Sequence, residues 1–295
     1  MHELKVDLRP QLKDFVLSSL RGIESGQMSK GAQAGMRKEM MFKGKGLEFE
    51  KFREFNPGDD ASSIDWKASL RSGRMLVRVY AEERNKDIVF FVDASSSMAY
   101  SSWGKMKNEY AVELVTSLSY SFRNSGDNTA LAMFSDRLVD TVPPETGIMQ
   151  HTRILRSLTR VKNYDGPCNF VRSVNLLMEW LKRPAVIFIV SDFIGFGEGW
   201  QHAIEAASVN FEIMGLVIRD PADDIMPLGV GQMVFSDPFT GEEILVDPAK
   251  IKRRYDRYNQ EFRDEIRRVF RRINTGSVFF HTDDSFVKPI SAMFA

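Results

Sequence analysis

The sequence predicts an α/β fold, a mostly parallel sheet with helices on both faces, with a small β-containing N-terminal extension and an inserted β-hairpin. Three observations predict it. From Asp87 onward, short apolar runs alternate with stretches whose apolar residues recur at helical spacing, the pattern of strands joined by crossover helices. The runs IVFFV (88–92) and AVIFIV (185–190) contain no charge, as strands buried on both faces do, and are far too short to span a bilayer. Polar residues follow both runs directly, where open parallel sheets place their ligand sites.

Taken in order, Leu12, Phe15, Val16 and Leu20 predict an amphipathic helix over about residues 8–22, and the glycine-rich, charged stretch 26–46 a loop. LEFEKFREF and RMLVRVYAEER alternate as strands, with FNPGDD between them as a turn. DIVFFVD is a buried central strand, followed by a helix over about 104–122. NTALAMFS is the next strand, with RLVDTVP beside it as an edge. Helices over about 146–158 and 170–181 lead to the strand AVIFIV, and WQHAIEAAS and FEIMGLVI add another helix and strand. GQMVFSD and EEILVDP flank the turn-forming PFTGE, which places a hairpin at 231–247. A long helix carries Ile251, Tyr255, Tyr258, Phe262, Ile266, Val269 and Ile273 on one stripe. GSVFFHT is a last strand and SFVKPISAMF a closing helix. The division expected is 1–85, a helix and β segment packed on the main domain, and 86–295, the main α/β domain.

Composition narrows the function. Forty Lys plus Arg balance forty Asp plus Glu, so no overall field draws the chain to nucleic acid or an anionic membrane. The long helix is basic from Lys252 to Arg272, but Asp256, Glu261, Asp264 and Glu265 interrupt the charge, as on a solvated face. A single cysteine, Cys168, excludes an internal disulfide framework, and the charged amino terminus lacks the apolar core of a signal peptide, so a cytoplasmic protein is expected. Four scattered histidines suggest no zinc cluster, and no GxSxG, HExxH or P-loop pattern occurs. No enzyme activity, nucleic-acid binding, membrane span or small-molecule substrate is expected.

The candidate site is DASSSM, where Asp93, Ser95 and Ser97 present one carboxylate and two hydroxyls after a buried strand, together with SDF, where Ser191 and Asp192 follow another. Hard oxygen ligands with few carboxylates suit Mg²⁺. Capping of the next helix would use the same residue types, but the strand context of both segments favours a ligand site.

DASSSM resembles the metal-ion-dependent adhesion site of von Willebrand factor A domains, and SDF resembles the aspartate-bearing third loop of that site. REFNPGDDASSIDWKASLRSGRMLVRVYAEER resembles the signature of the DUF58 family of bacterial A-domain-like proteins, as do FSDPFTGEEILVD and the final FFHTDD. The resemblance implies a von Willebrand A-like, Rossmann-type fold and a non-catalytic binding or assembly role beside a MoxR-type AAA+ ATPase. It places Asp93, Ser95, Ser97 and Asp192 at metal positions. The second loop departs: YDGPCNFV offers Cys168 where a threonine hydroxyl is usual, and soft sulfur is a poor ligand for Mg²⁺. The expected Mg²⁺ binding is therefore weak or absent, unless the carbonyl of Asn169 or a water fills the gap.

Arg53, Gly58, Asp59, Asp60, Asp65, Trp66 and Arg71 mark the DUF58-like segment. They suit a partner-docking surface, or equally a turn at Asp59 and Asp60, a core-packed Trp66 and arginines paired with carboxylates. Two other functions remain open: a phosphatase-like hydrolase using Asp93 as nucleophile, though position 95 holds serine where a second aspartate is needed, and a metal-free scaffold.

Overall fold

Alternating residues in LEFEKFREF build a strand, Glu48–Glu54 (β1), which pairs antiparallel with Leu76–Ala81 (β2). In this computed structural model the described residues are 48–56, 59, 64–81, 86–227 and 231–293, and they divide into two units. The smaller unit holds β1, β2 and their connection. The turn expected after β1 forms at its described residues: the Asp59 N–H donates to the Asn56 carbonyl at 3.0 Å and the Asn56 N–H to the Asp59 carboxylate at 2.8 Å. Gly58, Asp60, the helix expected near 8–22 and the loop at 26–46 lie outside the described residues.

Between the turn and β2 runs a short helix, Trp66–Ser72 (α1), which the alternation of the flanking strands does not predict. The Asp65 carboxylate caps it, accepting from the Lys67 and Ala68 N–H groups at 2.9 and 3.0 Å. Gly73 ends it at φ +69°, a left-handed conformation that glycine adopts without a Cβ penalty. Trp66 is 61% exposed, which corrects the expectation of a core-packed Trp66.

The larger unit, Lys86–Met293, is the alternating part of the chain. In order it comprises Asp87–Asp93 (β3), Lys107–Ser125 (α2), Asn128–Phe134 (β4), Leu138–Glu145 (β5), Ile148–Leu158 (α3), Phe170–Trp180 (α4) and Ala185–Ser191 (β6). Trp200–Ala207 (α5), Glu212–Arg219 (β7), Pro221–Asp224 (α6), Met233–Ser236 (β8) and Glu243–Val246 (β9) follow. Pro248–Arg272 (α7), Ser277–His281 (β10) and Val287–Met293 (α8) complete it. Six strands form one sheet in the order β10-β7-β6-β3-β4-β5, parallel except for β5, which lies at the edge as RLVDTVP predicted and pairs antiparallel. The hairpin β8–β9 pairs in register Met233↔Val246, apart from the main sheet.

Successive residues of a strand face opposite sides, so the uncharged strands supply both faces. Val89, Phe91, Ile187 and Ile189 pack with Phe170 of α4, Ile204 of α5 and Ile266 and Phe270 of α7. On the other face Phe90 stacks on Phe188 with centroids 5.8 Å apart, and Phe122 of α2 lies 5.7 Å from Phe188. Helix α2 starts at Lys107, three residues later than periodicity suggested. The Ser101 hydroxyl accepts from the Trp103 and Gly104 N–H groups, holding a turn there, and the Glu109 carboxylate accepts from the Met106 N–H at 2.9 Å to open the helix.

Chain connections leave β3 for β4 on one side and return to β6 on the other. The strand order thus reverses beside β3, and crevices at such switch points hold ligands in open α/β sheets.

Candidate functional site

At the carboxyl end of β3, Asp93 has no exposed surface, and Ser95 and Ser97 are equally buried. One Asp93 oxygen accepts from the Ser95 N–H at 2.9 Å and the other from the Ser191 hydroxyl at 2.5 Å, across the β3–β6 junction. The Ser95 and Ser97 hydroxyls lie 3.2 Å apart, and Ser97 donates to Asp192 Oδ1 at 3.2 Å. Two loops almost a hundred residues apart in sequence thus put two carboxylates and three hydroxyls into one buried cluster.

Burial, and then the charge of Asp192, push the Asp93 carboxyl up to about 7 despite the hydrogen bonds it accepts from Ser191 and Ser95. Among the described residues no basic side chain lies within salt-bridge distance of Asp93. Asp192 differs. Its Oδ2 receives the Lys107 ammonium at 2.5 Å, and the same ammonium reaches Asp223 at 3.0 Å. Lys107 is 1% exposed. Its burial alone would lower the ammonium pKa, but the Asp192 and Asp223 charges outweigh that, so the net direction is upward and the lysine stays charged.

The loop that presents Asp192 is strained. Phe193 sits at φ +64°, unusual for a bulky residue, while its N–H donates to the Ser191 hydroxyl at 2.9 Å and the Ile194 N–H donates to Asp192 Oδ1 at 2.9 Å. Aromatic packing holds it there: the Phe193 ring lies 4.8 Å from Phe196 and 5.7 Å from Trp200. Beneath this loop Arg219, buried at the end of β7, donates to the Asp192 carbonyl at 3.2 Å and pairs with Asp224, also at 3.2 Å.

The second loop reaches the cluster through its backbone. Ser96 N–H donates to the Gly166 carbonyl at 3.0 Å, and the Gly166 N–H donates to the Ser96 hydroxyl at 3.0 Å. Cys168 is half-buried, and burial first, with the charges of Asp93 and Asp192 adding, pushes its thiol up, so it remains protonated and unsuited to nucleophilic attack. The Asn169 side-chain carbonyl accepts from the Arg172 N–H at 3.1 Å as the cap of α4, so it is engaged in the helix.

A divalent metal has a partial fit. Oxygens bound to Mg²⁺ at about 2.0–2.1 Å in an octahedron lie about 3 Å apart, and the Ser95 and Ser97 hydroxyls match that spacing. Asp93 supplies a buried carboxylate that lacks a cationic partner among the described residues. These three fit the ion. Asp192 fits it on one oxygen, because the other is bound to Lys107. Among the described residues no group of three or more His, Cys, Asp or Glu is placed to hold a metal ion, so the donors here are hydroxyls and two carboxylates.

The remaining predicted positions lie in the smaller unit and form a local network. Arg53 grips Asp59 through two hydrogen bonds of 2.5 and 2.8 Å, and that guanidinium, with the Asn56 N–H, holds the Asp59 carboxyl down at about 2. Asp65 is the helix cap, and exposed Arg71 sits in the last turn of α1, where a cation suits the helix dipole. Trp66 and Arg71 face solvent, as does Arg53, whose side chain is 42% exposed while it holds Asp59.

Sequence reasoning missed Lys107, Asp223 and Arg219. The family described as protein of unknown function DUF58 matches residues 51–265. The chain belongs to the DUF58 family. This DUF58 chain is 24% identical over 253 residues to the uncharacterized protein Rv1480 of Mycobacterium tuberculosis, covering 84% of this chain and 78% of that protein. The uncharacterized protein YeaD of Bacillus subtilis is 26% identical over 106 residues, covering 36% of this chain and 24% of YeaD. Two solved structures resemble it: the conserved hypothetical protein BatB from Bacteroides thetaiotaomicron (15% identity, TM-score 0.44) and an aerotolerance-related membrane protein from Bacteroides fragilis (15% identity, TM-score 0.46). Each match covers 71% of this chain and 98% of the other. No helix among the described residues is long and apolar enough to cross a membrane.

Proposed function

We propose that this DUF58 chain is a non-catalytic protein-interaction module with a von Willebrand A-like fold, which receives an acidic side chain of a partner at the β3–β6 crevice. The observation that carries this reading is the meeting of Asp93, Ser95 and Ser97 with Asp192 at the strand-order reversal. Asp93, Ser95 and Ser97 would hold Mg²⁺, with Asp192 beside them. A bound Mg²⁺ supplies an open coordination position for one carboxylate oxygen. Beside the crevice Tyr100 is 43% and Trp103 74% exposed, aromatic surface of the kind that anchors protein interfaces. A hydrolase using Asp93 as nucleophile would need a second carboxylate at position 95, where this chain has Ser95.

The partner class implied by the family resemblance is a MoxR-type AAA+ ATPase, met in the cytoplasm. Calorimetric titration of the purified pair tests both parts. Asp93→Ala and EDTA are each expected to lower the affinity by about tenfold or more, and Trp103→Ala to weaken it independently of metal. Unchanged affinity in both of the first two arms removes the metal from the account, and no binding by the unaltered chain removes this partner class. The ammonium on Asp192 favours a second reading, a metal-free scaffold; it predicts partner binding indifferent to EDTA but sensitive to Trp103→Ala.

A further inference from the structure

One carboxylate of the cluster already has a cation. Lys107 is a charged residue on the apolar stripe of α2 shared with Tyr110, Ala111 and Leu114, all buried. A buried ammonium on such a stripe persists only with close countercharges. It has two, Asp192 at 2.5 Å and Asp223 at 3.0 Å, and the Tyr100 ring centroid lies 5.5 Å from its nitrogen. Asp93 has no basic partner among the described residues. The positive charge of the site is thus placed on its third-loop aspartate and withheld from its first.

We propose that Lys107 is a resident cation that sets the Mg²⁺ affinity of this site, holding it low by occupying one oxygen of Asp192 and by repelling a second cation from the cluster. The inference rests on the metal reading above and concerns its strength. Lys107 is a positioning residue that acts on the site through Asp192. Two like charges in a water-poor pocket repel far more than at the surface, so removing the ammonium strengthens metal binding. Neutralising Asp223 acts in the opposite direction, because it removes a nearby negative charge and leaves Asp192 as the sole carboxylate partner of Lys107.

Isothermal titration of the full chain with MgCl₂, paired with the melting temperature with and without Mg²⁺, tests this on Lys107→Met, Lys107→Arg, Asp223→Asn and Asp93→Ala. Lys107→Met is expected to bind Mg²⁺ at least about tenfold more tightly than the unaltered chain, and to regain with Mg²⁺ part of the thermal stability lost with the ion pair. Lys107→Arg, which keeps the charge, is expected to stay as weak as the unaltered chain, a distinction that a packing role would not produce. Asp223→Asn is expected to bind more weakly, and Asp93→Ala not at all. If the unaltered chain binds Mg²⁺ and Lys107→Met binds no better, the inference is overturned while the metal reading stands. If no variant binds, both fall. Should Lys107→Met fail to fold, Asp223→Asn decides: equal or tighter binding overturns the inference.

Discussion

At the scale of single residues, the proposed metal reading sets hard oxygens against two groups that do not serve Mg²⁺, the Lys107 ammonium and the Cys168 thiol. Replacing sulfur with a hydroxyl of similar size should help a hard cation. Cys168→Thr is therefore expected to raise Mg²⁺ affinity severalfold by calorimetry; an unchanged affinity would show that residue 168 does not face the cluster. Gly215 in β7 tests the packing under the site. A Cβ there would meet the Phe270 ring at 2.7 Å and the Ser277 Cβ at 3.2 Å, and Phe270 is fully buried. Gly215→Ala should cost about 1–3 kcal/mol in urea unfolding, since overpacking a filled core forces neighbours to shift. A midpoint unchanged from the unaltered chain would mean that α7 yields more easily than its burial suggests.

Among the elements, β3 and β6 were legible because uninterrupted apolar residues at that length leave little choice but a buried strand. The β8–β9 hairpin was legible from its turn chemistry. Helix α1 was not, because it has seven residues and no buried side chain of its own, and its signals were only its two ends, the capping Asp65 and the terminating Gly73. Asp65→Ala should cost about 1 kcal/mol through the two N–H groups left without the cap, read from the thermal melt. A larger loss of partner binding than of stability would restore Asp65 to a docking role. The polar residues trailing β3 and β6 were legible for a related reason, since topology sends strand ends to the crevice. The ion pairs beneath them were not. Lys107 lies 85 residues from Asp192 and 116 from Asp223, and only the assembled sheet joins them. A lysine amid the apolar positions of α2 was the one sequence signal available.

For the molecule as a whole, Asp224 is a hub that ties three elements. It accepts from Arg219 of β7 at 3.2 Å, Arg263 of α7 at 2.9 Å and His281 of β10 at 2.7 Å. Its hydrogen bond to Asp224 holds the His281 pKa above 6.5 against the lowering effect of burial. A raised histidine contributes stability that is complete below the unfolded value and disappears as pH rises through the folded one. Despite burial, the His281 hydrogen bond and the arginine charges keep the Asp224 carboxyl below its usual value, so its contribution is lost instead as pH falls through that lowered value. The melting temperature should therefore decline as pH rises above 6.5, and His281→Gln should flatten that decline. An equally steep decline in His281→Gln would place the pH dependence elsewhere.

The Ser191–Asp93 and Ser97–Asp192 hydrogen bonds close loops of 98 and 95 residues. Contacts of that span carry a large closure entropy and form only once the intervening chain has collapsed. During synthesis the first half of the crevice is made long before the second, and the proposed docking site is complete only once β6 has paired with β3. A nascent chain ending before residue 185 would carry Asp93, Ser95 and Ser97 without Ser191 or Asp192. On the proposed reading, docking competence doubles as a folding checkpoint: a partner that requires both loops would recruit only chains whose central sheet is complete.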